Sequence, residues 1–233
     1  MERSIDMISI CCPSRGRPTL AKRMAESAIN TAKNKNIEIL FYLNDDDTEL
    51  ENYKKALANF NTSIGADQST CISWNQLSNK AKYDYIFLMG DDVIFETENW
   101  DEKIINEFEK YEDRLLVVGP WVGKNIKGSN EKAKTCPHYV VHKNWINALN
   151  YFAPPIYWHF FVDTHTQEVA KGIDRYVWLE NVICRTKKII DDDTGKRVRK
   201  HLNIASRDEH VWNTVSQRYI QTDISLLKTK LKK

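Results

Sequence analysis

The sequence predicts an α/β fold in which a mostly parallel central sheet is flanked by helices. Two observations predict it. Apolar runs of strand length alternate with amphipathic stretches of helix length, a rhythm that favours parallel strands joined by right-handed crossovers. Each run also ends abruptly in a turn rich in Pro, Gly, Asn or Asp. With 233 residues the chain suits one large domain, or one domain with a short extension. We divide it into an α/β half over 1–120, a second half of the same domain over 121–184, and a basic extension over 185–233.

In order, Met7 to Cys12 reads as a buried strand and PSRGRP, from Pro13 to Pro18, as the loop after it. A helix follows from about Thr19 to Lys33, with Leu20, Met24, Ala28 and Ala32 on one stripe. Ile37 to Leu43 is the second strand, stopped by Asn44 and three aspartates. Leu50, Tyr53, Leu57 and Phe60 mark a second helix, and Cys71, Trp74, Leu77 and Ala81 a third. Asp84 to Met89 gives the clearest strand, ending at Gly90-Asp91-Asp92. Asn99 with Glu102 resembles a capping box opening a helix with Trp100, Ile104, Phe108 and Tyr111 inward. Leu115 to Val118 makes another strand.

Beyond Trp121 the pattern loosens. Gly123 to Thr135 reads as a surface loop, His138 to Val141 as a strand and Trp145 to Tyr151 as a short helix. Thr164 and Gln167 form a capping-box pattern for a helix to Lys171, and Tyr176 to Cys184 reads as a strand. Arg185 to Lys233 lacks periodicity until Ile220 and is expected to be a lid, an acceptor-facing extension or an oligomerisation arm.

Composition excludes several classes. Hydrophobic residues make up 42% and charged residues 28%, with only 8 Gly and 6 Pro, which excludes disorder and collagen-like repeats. No uncharged apolar run is long enough to span a membrane, and the charged N-terminus lacks a signal-peptide core. A cytoplasmic protein is expected. The five cysteines are odd in number and lack CxxC spacing, so we read them as reduced core residues, with Cys11 and Cys12 on opposite faces of a strand. Net charge is +2, yet Arg185 to Lys233 holds 13 Lys/Arg against 6 Asp/Glu. A basic end on an acidic body suits a metal-bound anion and a second polyanion, or is a solvated tail.

Chemistry concentrates at strand ends. Asp91 and Asp92 follow Phe87-Leu88-Met89 directly, and burying two carboxylates there unpaired would cost several kcal/mol each. A divalent cation removes that cost, and hard oxygen ligands select Mn²⁺ or Mg²⁺. PSRGRP lies at the end of the first strand and before a helix, where backbone N–H groups and the guanidiniums of Arg15 and Arg17 suit a diphosphate. Asn44-Asp45-Asp46-Asp47 ends the second strand, where a carboxylate can accept from a ribose or base. Each motif alone is also a common solvated turn. All three share one rim of a parallel sheet, where α/β proteins gather ligands.

The order PSRGRP, YLNDDD, SWNQL, FLMGDDVIFETENWD resembles a GT-A (Rossmann-like) glycosyltransferase of the family 2 kind, well over Met7 to Tyr111 and more loosely over Cys136 to Cys184. The resemblance implies a nucleotide-sugar donor held by Pro13, Ser14, Arg15, Arg17 and Asp45 or Asp46, with Asn75 near it. It implies that Gly90-Asp91-Asp92 is the DxD motif, Asp92 the metal ligand and Asp91 a sugar-hydroxyl or outer-shell group. The chain departs from that motif by carrying Gly90 in the first place. Asp163 in HFFVDTH matches the position of a catalytic carboxylate, the base of an inverting transfer; an N-cap is its plainer reading, and His159 is a second candidate base. Related enzymes often supply a late His to the metal, which the strand ending at Arg185 lacks; His201 and His210 are the remaining candidates.

The alternatives are a nucleotidyltransferase on a similar sheet and a non-catalytic nucleotide- or nucleic-acid-binding module. The aromatic density from Trp145 to Trp178 suits core packing, or stacking on a sugar or an extruded base. With the basic end, it permits a hydroxylated base in DNA as acceptor, and small enzymes that glycosylate bacteriophage DNA bases offer a similar precedent. A lipid-linked or cell-surface acceptor would call for an amphipathic membrane-facing helix, which the sequence does not display. Oligomeric state is left open by the sequence.

Overall fold

The computed structural model describes residues 6–121, 136–186, 193–196 and 203–231. An eight-stranded sheet runs through it in the order β3-β2-β1-β4-β7-β6-β8-β5. β1 (Ile8–Ser14), β2 (Glu38–Asn44), β3 (Asn61–Gly65) and β4 (Tyr85–Leu88) are mutually parallel. β7 (Tyr139–His142) turns against β4, β6 (Val117–Trp121) and β8 (Tyr176–Thr186) return to the parallel direction, and β5 (Val93–Phe95) closes the far edge antiparallel to β8. The fold is GT-A, as the sequence predicts.

Helices cover both faces. On one, α1 (Pro18–Thr31), α2 (Leu50–Ala56) and α4 (Trp100–Phe108) bury Met24, Ala28, Tyr53, Trp100, Ile104 and Phe108 against Ile8, Ile10, Cys12 and Phe87. On the other, α3 (Thr70–Lys80), α5 (Lys143–Leu149), α6 (Val162–Lys171) and α9 (Ser216–Lys228) pack Trp74, Leu77, Trp145, Val169 and Ile224 against Cys11, Leu40 and Leu88. Cys11 and Cys12 therefore do face opposite ways, and all five cysteines are buried and free. The inner stripe of α1 is Ala21, Met24, Ala25 and Ala28; Leu20 is only half-buried.

Several expectations are corrected. Neither capping box forms: Asn99 sits in the left-handed region at φ 57° with no side-chain cap bond, and Phe161 rather than Thr164 precedes α6. Gln167 is buried, its Oε1 accepting from the Cys136 N–H at 3.4 Å. β3 and β5 add strands that the pattern does not announce. The C-terminal stretch is helical before Ile220: α8 (Ile204–Thr214) precedes α9, which docks on α5 and α6, and a short α7 (Asp193–Lys196) lies near β1. The expected loop at Gly123–Thr135, His201 and the basic residues 197–200 lie outside the described residues. No helix among the described residues is long and apolar enough to cross a membrane.

Candidate active site

Three loops meet at the carboxyl edge of the parallel strands. β1 runs on through Pro13 to Ser14, so Pro13 is a strand residue and Ser14 the last, paired with Leu43 of β2. The Ser14 hydroxyl donates to Asp91 Oδ2 at 2.6 Å and lies 2.5 Å from the Tyr53 hydroxyl. Tyr53 accepts from the Arg17 N–H at 2.8 Å, and Arg17 Nη1 donates to Asp91 Oδ1 at 3.2 Å. Asp91 is thus buried but held by the first loop at both oxygens. Burial pushes its carboxyl up to about 6, while Arg17 and Ser14 pull the other way.

The second strand closes on the same loop. Arg15 forms a two-pronged ion pair with Asp46. Asp47 accepts from the Gly16 N–H at 2.8 Å and from the Glu49 N–H at 2.9 Å, so it organises both loops. Asp45 is exposed, its N–H bound to Gly65 O at 2.8 Å. Gly16 has φ +66°, and a Cβ there would sit 2.8 Å from Thr194 Oγ1, whose hydroxyl donates to Arg15 O at 2.7 Å. α7 therefore rests on the loop after β1.

Asp92 follows Asp91 and is half-buried. A Cβ on Gly90 would lie 3.1 Å from Asp92 Oδ1 and 3.3 Å from His138 Cε1, so the absent side chain leaves these two groups facing a common point. His138 is buried just ahead of β7; burial pushes its imidazole down to about 4. Nothing in the sequence marks His138, because its approach to Gly90 depends on β7 pairing antiparallel with β4.

Asp163 lies in the first turn of α6 and is therefore not its N-cap. Burial pushes Cys136, Tyr139 and Tyr176 up, and the Asp163 charge adds to the rise in all three. Among the described residues the buried Tyr176 hydroxyl and Trp178 Nε1 have no hydrogen-bond partner. Asn75 holds the backbone leading to this region. Its Oδ1 accepts from the Phe152 and Ala153 N–H groups at 2.7 and 2.9 Å, and its Nδ2 donates to Ala153 O at 2.8 Å. His159 stacks on Trp74 at 6.3 Å and meets Thr70 Oγ1 at 3.0 Å, while Trp74 Nε1 donates to Met89 O at 3.3 Å. His210 is exposed on α8.

A further residue, Asp208 of α8, is fully buried and accepts three backbone N–H groups, from Trp158, His159 and Phe160, each at 2.8 Å. Arg207 lies over the Trp158 ring at 5.3 Å, and Phe161 stacks on Trp212 at 5.3 Å. The loop that leads into Asp163 is therefore shaped by the C-terminal helices.

Residues 9–166 match the sequence family described as Glycosyl transferase family 2. No curated protein matches the chain. Among solved structures, the fold is similar to that of TarS 1-349 from S. aureus in complex with UDP (TM-score 0.56, 12% identity), covering 76% of this chain and 59% of that one. This chain thus spans about three fifths of that protein's length. It is also similar to the mannosyltransferase PcManGT of Pyrobaculum calidifontis in complex with GDP-Man and Mn²⁺ (TM-score 0.60, 10% identity), over 98% of this chain and 77% of that one. A third is glucosyl-3-phosphoglycerate synthase from Mycobacterium tuberculosis with Mn²⁺ and UDP (TM-score 0.56, 11% identity), over 87% and 80%.

Proposed function

Since the chain belongs to glycosyl transferase family 2, we propose that it is a metal-dependent enzyme that moves a sugar from a nucleotide-sugar donor to a hydroxyl acceptor. One observation carries this reading: the loops after β1, β2 and β4 are tied into a single edge by the Arg15–Asp46, Ser14–Asp91 and Arg17–Asp91 contacts.

In this reading the nucleoside lies along Pro13, Ser14 and Arg15, with Asp45 and Asp46 toward its ribose or base. Arg17 stands by the diphosphate, and Asp91 keeps Arg17 and Ser14 in register for it. Asn75 acts through the Phe152–Ala153 turn that it holds. Asp92 holds the cation, Mn²⁺ or Mg²⁺, which supplies neutralisation of the charge that develops on the diphosphate leaving group. The residues fit such an ion. Asp92 offers a half-buried carboxylate, and its Oδ1 and the edge of the buried His138 ring both approach the open position at Gly90. Among the described residues no three His, Cys, Asp or Glu side chains stand together as a cage; diphosphate oxygens and water would be ready further ligands for such an ion. Asp163, in the first turn of α6, takes the proton from the acceptor hydroxyl.

The test is a thermal-shift panel of UDP- and GDP-sugars with Mn²⁺, since a ligand bound only by the folded state raises the melting temperature. One donor should stabilise the protein in a metal-dependent way, and Asp92→Ala should lose both the shift and transfer while keeping its fold. Full activity in EDTA, or no shift with any donor, would refute the reading. Asp163→Asn should remove turnover and keep donor affinity; unchanged turnover would leave Asp163 with no role as base.

A finer acceptor, a hydroxylated base in DNA, is favoured by the basic stretch from Arg185 onward and by Arg207 over Trp158 beside the acceptor-side loop. DNA affinity that falls steeply with added salt would support it, and an absence of DNA binding would remove it.

A further inference from the structure

His138 sits where a buried histidine has no structural need to be. It is 6% exposed, and among the described residues its buried Nδ1 has no hydrogen-bond partner. Its Nε2 lies 3.4 Å from Thr186 Oγ1 near the end of β8. An orphaned nitrogen in the interior forfeits a hydrogen bond that water would have supplied. The ring edge between the two nitrogens faces the Gly90 backbone, where Asp92 Oδ1 also converges. Any side chain at position 90 would stand between the carboxylate and the imidazole. Ligating histidines share this arrangement, with one nitrogen bare and the other fixed by a second partner.

We propose that His138 is a second protein ligand, through Nδ1, for the divalent cation that Asp92 holds, with Thr186 setting the tautomer and tilt of the ring. This rests on the proposed function above, and it assigns the imidazole that the end of β8 lacks to the neighbouring strand β7. It also gives Gly90 a reason: the position is kept open so that a strand-end carboxylate and a histidine from the adjacent strand can reach one ion. An imidazole beside a carboxylate suits Mn²⁺ better than Mg²⁺, which prefers an all-oxygen shell.

The experiment is pulsed electron paramagnetic resonance on the intact protein with Mn²⁺ and UDP, repeated with GDP, because the spectrum reports histidine nitrogen bound to Mn²⁺ independently of turnover. The expected result is nitrogen modulation in the wild-type complex that disappears in His138→Gln, with Mn²⁺ affinity down by about tenfold or more. Bound Mn²⁺ without histidine nitrogen in the wild type overturns the assignment and needs no variant to do so. Modulation that survives in His138→Gln overturns it as well. Both of these outcomes leave the proposed function standing. No Mn²⁺ bound with either nucleotide removes both.

Discussion

A fully buried carboxylate costs several kcal/mol unless hydrogen bonds replace its water, and Asp208 meets that cost with three consecutive backbone N–H groups. Arg207 adds a looser contact at 3.6 Å from a half-exposed side chain. Asp208→Asn swaps one acceptor for an N–H donor facing backbone N–H groups, and should lower stability by about 2–3 kcal/mol in urea unfolding. A loss below a few tenths would show that the loop holds itself. A second prediction concerns His142, whose Nδ1 accepts from the Asn144 N–H at 3.1 Å and whose ring meets Tyr85 edge-on at 5.1 Å. Burial, chiefly, pushes this imidazole below its usual 6.5. The unfolded chain therefore takes up a proton that the folded chain resists, so stability is full above about 6.5 and falls as the pH drops below it. His142→Gln should flatten that slope in thermal melts between about pH 7 and 5; an unchanged slope would assign it elsewhere.

At the scale of elements, what was legible followed burial. β1, β2 and β4 are apolar runs because both faces of each are covered, and their ends marked the edge where the three loops meet. β3 escaped because NTSIG is a mostly exposed edge strand, and β5 because three residues carry no period. α8 escaped because only Ile204 and Asp208 are buried along it, so it presents no stripe. The site divides in the same way. Arg15, Arg17, Asp91 and Asp92 lie in compact motifs, whereas His138 and Asp208 acquire their surroundings only from pairings distant in sequence. The close approach of α9 to the end of α6 is likewise invisible in one dimension. A Cβ on Gly172 would lie 2.3 Å from Ile224 Cδ1. Gly172→Ala should therefore cost about 1–3 kcal/mol by overpacking, read from chemical denaturation, and a neutral result would mean that Ile224 swings clear.

For the whole molecule, the second core joins strands β1, β2 and β4 to α3, α5, α6 and α9, with Ile220, Ile224 and Leu227 as buried members. The last helix is thus part of the same packed interior as the parallel strands. Calorimetry should show one cooperative transition, and a separate low-temperature transition removed by deleting α9 would contradict it. The Asp208 clamp also orders events in time. The loop it grips precedes it by 50 residues in the chain. At ordinary elongation rates the ribosome takes on the order of seconds to make that stretch. Until then Trp158 to Phe160 have no carboxylate to gather their N–H groups. The chain therefore emerges with its β1, β2 and β4 loops complete well before the Trp158–Phe160 loop can gain its clamp, and that loop takes its shape only once the C-terminal helices have been made.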